Sequence, residues 1–213
     1  MVKSLFETLY MMFVSMFFAS IIGIPIGISL VLTKKHGLKE NKVYYKIIDI
    51  LIINLTRSIP FIILIVLLIP LSRLIVGKSY GTTAFIIPLS IATAPFIARI
   101  IESSLNEVDN GLIEMGISIG ATPKDIVFKI LIPEAMPSII NGLTLTLISL
   151  IAYTAIAGVI GGGGLGNLAI IEGYQRGNKE IMYKSTLIII ILVQIIQFSG
   201  SKIVKNIKNK RGK

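Results

Sequence analysis

Apolar residues in this chain neither alternate nor form a one-sided stripe. They run on for whole helix lengths, separated by short polar stretches. A helix needs about 20 such residues, at 1.5 Å rise each, to cross the hydrocarbon of a bilayer. Five segments meet that demand: 9–33, free of charge; 47–71, interrupted by Arg57; 81–101, containing Pro88 and Pro95; 138–159; and 184–204. The charge-free run 135–171 is too long for one crossing, and its tail, IGGGGLGNLAI, is too short for another. It reads as a helix followed by irregular apolar backbone. The pattern predicts an all-α, polytopic membrane protein with five transmembrane helices, six being the competing count. A single transmembrane domain is expected over 1–213, with a polar loop at 105–137 between the third and fourth helices and a basic tail at 205–213. The first apolar run exceeds the core of a cleaved signal peptide and has its basic residues on the far side, so it reads as a span.

Composition agrees. Hydrophobic residues make up 54% of the chain and charged ones 15%, where a soluble domain is about a quarter charged. The formal charge of +10 invites a nucleic-acid reading. The basic residues, however, flank apolar spans and are not interleaved with aromatics, so membrane flanks account for them. With five spans, fourteen Lys and Arg fall on one side and six on the other, Arg57 left aside as intramembrane. The richer side is therefore cytoplasmic, the N-terminus outside and the C-terminus inside. There is no cysteine, and the single histidine, His36, lies in the polar stretch KKHGLKENK. No thiol nucleophile, disulfide or metal cluster is available, and no catalytic constellation is visible.

The cytoplasmic loop holds the most informative local signal, EMGISIGATPKDIVFKILIP at 114–133. Thr122 is placed to cap a helix, Pro123 suits its first position, and Asp125 can return the cap. Pro133 predicts a stop, leaving two to three turns from Pro123 to Leu131. Ile126, Val127, Ile130 and Leu131 share one face, with Lys124 and Lys129 elsewhere. So short a helix needs a partner for that face. Either the chain's own helices or headgroups cover it, or a soluble partner does.

The same stretch resembles the cytoplasmic signature of ABC-importer permeases. That signature has an EAA opening, a Gly six residues after the Glu and an Ile-x-Leu-Pro ending. Glu114, Gly120, Ile130 and Pro133 stand at those spacings, while Met115, Gly116 and Ile132 depart from them. RSIPFIILIVLLIPLSRLIVG, APFIAR, LIPEAMPSIINGLTLTLI and GVIGGGGLG extend the likeness over nearly the whole chain, toward the permeases of methionine importers. The resemblance implies two permease copies in a bacterial cytoplasmic membrane, each docking on a copy of a separate ATP-binding subunit. An extracytoplasmic methionine-binding protein would deliver D- or L-methionine. It assigns coupling to Glu114, Gly120, Ala121, Thr122, Pro123, Lys124, Asp125, Ile126 and Pro133. GGGGLG lacks the Lys and hydroxyl of a phosphate loop. ATP and Mg are thus expected on the partner, with no cofactor in this chain and no enzyme activity of its own.

Two intramembrane features remain open. Gly161, Gly162, Gly163 and Gly164 are either a flexible or closely packed connection, or an outer gate that needs non-helical backbone. Arg57, beside Ser58 and Pro60, either snorkels to headgroups or serves a pathway or subunit interface, with Asp49 or Glu102 as candidate partners. Met11, Met12 and Met16 read as packing. An ion-coupled transporter would need acids within its spans, and the carboxylates fall at or beyond the predicted span ends. A permease of the same family for another amino acid remains the nearest alternative.

Overall fold

The computed structural model describes residues 1–210; the last three residues of the predicted basic tail lie outside the described residues. Eight helical elements follow one another. They are α1 (Val2–Thr33), α2 (Lys42–Ser58), α3 (Phe61–Val76), α4 (Thr82–Asn106), α5 (Asn110–Ser118), α6 (Pro123–Gly162), α7 (164–175) and α8 (Lys179–Lys210). Four of them, α1, α4, α6 and α8, are each long and apolar enough to cross a membrane. The fifth predicted span, 47–71, is not one rod: α2 and α3 meet at 108°. Pro60 is the cause. It has no N–H to continue the helical ladder and keeps Ile59 out of helical geometry, so Ile59 is extended at φ −81° and ψ 126°. Pro60 then begins α3 by accepting from the amides of Ile63 and Leu64. Pro25, Pro88 and Pro95 lie inside continuous helices.

The bundle is built around α4. Of its apolar window 72% is buried, against 6% for α8, so α4 is central and the Ile-rich α8 lies at the periphery of the bundle. The most extensive packing is between α1 and α4. Ala19, Gly23 and Gly27 line one edge of α1, and small residues at four-residue spacing let membrane helices approach closely. A Cβ at Gly23 would stand 2.6 Å from the Ala94 carbonyl oxygen, and one at Gly27 2.5 Å from that of Ala98. Neither capping nor hydropathy pointed to these glycines, although the spacing GIPIG is plain in the sequence.

The helices join two main cores, one toward each end of the bundle. Met11, Met12, Phe85, Leu89 and Leu150 occupy the first. Val31, Ile97, Ile101, Leu105, Ile126, Val127 and Leu131 occupy the second. Both methionines are thus packing residues, as expected of them.

Candidate functional site

The segment 114–133 folds largely as its capping residues dictate. α5 ends with Gly120 at φ +76°. The Gly120 amide donates to the Ile117 carbonyl at 2.9 Å, and the Ala121 amide to that of Gly116 at 3.0 Å. This paired closure needs a left-handed residue, which glycine supplies without strain. Thr122 then caps α6. Its hydroxyl accepts from the Asp125 amide at 3.2 Å, and the Asp125 carboxylate accepts from the Thr122 amide at 3.3 Å. Lys129 is 2.6 Å from Asp125. Lys129 first and Thr122 second hold that carboxyl down to about 2, at a point well outside the apolar stretch of α6.

One expectation about this segment changes, and one open alternative is decided. Pro133 does not stop the helix: α6 continues through it and keeps helical geometry until Gly161, where a φ of 103° kinks the chain. The turns at Ile126–Leu131 widen to π geometry, with the Ile132 amide donating to the Val127 carbonyl five residues back. That widening displaces the carbonyl against which the Pro133 ring would clash in a regular α-helix. Second, the shared apolar face is covered by the chain itself. Ile126, Val127 and Leu131 are each 1% exposed, packed among Ile101, Leu105 and Val108. What the element turns outward is a different set: Met115, Ile117, Ile119 and Phe128, with Glu114 and Lys124 beside them. Gly116, a departure from the family pattern, is buried beneath this set. A Cβ there would meet the Ile130 Cδ1 at 2.8 Å, so α5 rests directly on α6.

Arg57, Ser58 and Pro60 stand at the break between α2 and α3. The Arg57 guanidinium lies 4.9 Å from the Phe96 ring centroid, a cation–π contact. Phe61 and Tyr153 stack at 3.9 Å beside it. A cavity of about 350 Å³ opens here, lined by Arg57, Thr93, Phe96, Arg99, Ser149 and Tyr153 among others. Asp49 and Glu102 do not pair with Arg57. Arg99 takes both: it bonds Glu102 at 2.5 Å and Asp49 as well. The Tyr45 hydroxyl adds a 3.0 Å bond to Glu102, and Asn54 a 3.2 Å bond to Asp49. This network pins α2 to α4. Among the described residues no carboxylate pairs with Arg57.

The glycine run is closely packed. Gly161, Gly163 and Gly164 have φ of 103°, 80° and 82°, which side-chain-bearing residues rarely adopt. The Gly164 amide donates to Glu7 at 2.8 Å, and the buried Leu165 amide to the Thr8 hydroxyl at 2.9 Å. The Gly81 amide donates to the Gly161 carbonyl at 2.9 Å. A Cβ at Gly162 would stand 2.8 Å from the Ala157 carbonyl oxygen. Glu7 and Thr8 thus hold a turn 157 residues distant, a contact with no local signal in the sequence.

Helices that cross a membrane, one of them prolonged far beyond it into a capped element with apolar groups outward, are the parts of a membrane transport subunit. The chain belongs to the family of binding-protein-dependent transport system inner membrane components, whose model matches residues 23–210. It is 46% identical to the probable D-methionine transport system permease protein MetI of Vibrio cholerae, over 96% of this chain and 90% of that one. It is 48% identical to the methionine import system permease protein MetP of Bacillus subtilis, over 85% and 81%. Among solved structures, it matches a chain of the MetNI methionine ABC transporter in an inward-facing conformation. The TM-score is 0.94 at 45% identity, over 97% of this chain and 95% of that one. An amino acid ABC transporter solved with histidines shares the fold, with a TM-score of 0.69 at 23% identity.

Proposed function

We propose that the chain is the membrane-spanning subunit of an ATP-driven methionine importer. It acts as a homodimer with two copies of a cytoplasmic ATP-binding subunit and an extracytoplasmic methionine-binding protein. The whole-length likeness to methionine permeases supports the substrate, D- or L-methionine. The observation that carries the mechanism is the continuity of α6 across Pro133. From Pro123 to Ile160, before the kink at Gly161, it extends about 55 Å, nearly twice the thickness of the hydrocarbon core. The coupling element is the end of α5, the Gly120 turn and the first turns of α6, reaching from Glu114 through Gly120, Ala121, Thr122, Pro123, Lys124, Asp125 and Ile126 to Pro133. The later turns of α6 cross the membrane.

Ile126 acts here from within, anchoring the element to the bundle, while Met115, Ile119 and Phe128 meet the partner. Closure of the ATP-bound partner displaces the element. With no hinge at Pro133, the displacement reaches the spanning turns as a rigid-body tilt between inward- and outward-open states. ATP and Mg sit on the partner; this subunit moves but does not hydrolyse. The element lies in the cytoplasm and the N-terminus outside, by the distribution of Lys and Arg. Gly161 to Gly164 then lie near the outer surface, clasped by Glu7 and Thr8, and work as an outer gate when that clasp opens.

The test is reconstitution of the full transporter in liposomes with a panel of radiolabelled amino acids. ATP-dependent methionine uptake is expected. Uptake driven by an ion gradient without ATP, or preference for another amino acid, would overturn the mechanism or the substrate respectively.

A further inference from the structure

A zwitterionic amino acid crossing this subunit brings a carboxylate into a low-dielectric path, where an unpaired charge is costly. The cavity at the α2–α3 break offers the complement. Arg57 reaches it with its guanidinium over the Phe96 ring, and both nearby acids, Asp49 and Glu102, are already bound to Arg99. A guanidinium presents a planar fork of donors that matches a carboxylate. The same cavity is lined by Thr93, which is 1% exposed and whose hydroxyl is buried without a hydrogen-bond partner. Buried polar groups left unsatisfied are rare and call for an explanation. Beside the guanidinium stand Phe96 and Tyr153, their ring centroids 6.5 Å apart, aromatic edges against which a thioether packs favourably. The hydroxyls of Thr146 and Ser149, also in the lining, donate to carbonyls of their own helix. They keep lone pairs with which to accept from an ammonium.

We propose that this cavity is a substrate site within the membrane domain. Arg57 anchors the amino acid carboxylate, Thr93 assists it, and Phe96 and Tyr153 receive the apolar side chain. Arg57 is thus a binding residue of the pathway, not a headgroup anchor. The inference rests on the reading of the chain as a methionine permease. It adds a statement that this reading does not contain, namely that recognition continues after delivery and requires the carboxylate.

The experiment uses the assembled transporter in liposomes and a diazirine analogue of methionine, with labelled peptides mapped by mass spectrometry. Wild-type uptake of radiolabelled methionine is measured in the same preparation; its absence would sink the functional reading and this site with it. With uptake present, labelling is expected on the peptides carrying Phe96 and Tyr153. Methionine should compete for it, whereas the corresponding amine without a carboxylate should not. Arg57→Gln should lower labelling at least tenfold, the scale set by losing a charge-assisted hydrogen bond, while Arg57→Lys retains part of it. Co-elution with the ATP-binding subunit checks that both variants assemble. Undiminished labelling in Arg57→Gln, labelling elsewhere, or equal competition by the amine would overturn the site while leaving the transporter assignment standing. A variant that fails to assemble leaves the analogue competition in the wild type to decide.

Discussion

Helix propensity and packing disagree about Gly27→Ala, and the structure decides the sign. On propensity alone, alanine in a helix interior stabilises by about 1 kcal/mol. In place, however, the new Cβ lies 2.5 Å from the Ala98 carbonyl oxygen and 2.7 Å from the Ile101 Cβ. The shortfall from ordinary contact is roughly 0.9 Å. The obstacle is backbone on the most buried helix, so relief requires α1 and α4 to separate. Overpacking costs about 1–3 kcal/mol, and a backbone obstacle that cannot rotate away puts this case in the upper half of that range, about 2–3 kcal/mol, leaving a net destabilisation of about 1–2 kcal/mol after the propensity gain. For a chain of this size that is a fall in Tm of about 2–8 °C. Gly23→Ala meets the same wall at Ala94 and Ile97. One displacement relieves both, so the double variant should cost less than the sum of the singles.

Gly116→Ala is the control, since its obstacle is the flexible end of Ile130, and it should be near neutral. Thermal unfolding of the purified protein in detergent measures all four variants. A Gly27→Ala protein that melts at or above wild type would show that α1 and α4 are not packed as described.

Phe128, 63% exposed on the proposed coupling element, should be a contact of the ATP-binding subunit. Phe128→Asp is expected to reduce co-purification of that subunit at least tenfold without lowering Tm, and unchanged co-purification would remove Phe128 from the interface. Gly164→Ala combines a left-handed φ with a Cβ 2.7 Å from the Thr8 hydroxyl. It should cost about 2–6 kcal/mol from backbone strain and overpacking together, and Thr8→Val, which leaves the buried Leu165 amide without its acceptor, about 1–3 kcal/mol, both read as a lower Tm. Arg99→Ala leaves Glu102, 4% exposed, without its cationic partner. A loss of about 3–5 kcal/mol is expected, and partial recovery in Arg99→Ala with Glu102→Gln would distinguish this from simple loss of bulk.

What was legible in the sequence was local. Gly120, Thr122, Pro123 and Asp125 follow rules that act over three or four residues, and each occupies its expected place. Four of the five apolar spans were legible by length, because a bilayer sets that length, whereas 47–71 breaks at Pro60 into two helices at 108°. What was not legible depends on distant parts of the chain. Pro133 reads as a stop only until π turns upstream accommodate it. The face Ile126–Val127–Leu131 is covered by α4, which no local pattern states. Arg99 outcompetes Arg57 for Asp49 and Glu102 because the fold brings α2 alongside α4. Glu7 and Thr8 carried no signal at all, since their partners are 157 residues away.

If α6 transmits motion because it is rigid, softening it between its two ends should separate hydrolysis from transport. The decisive measurement compares ATP hydrolysis and methionine uptake in liposomes for the wild type and for a chain with Ile132, Ala135 and Met136 all replaced by glycine. Each glycine weakens this joint by up to about 1 kcal/mol relative to the helix former it replaces, outside the predicted hydrocarbon span and away from the outward-turned apolar groups. Continued hydrolysis with uptake reduced to background is the predicted result. Uptake that keeps its wild-type ratio to hydrolysis would contradict the lever.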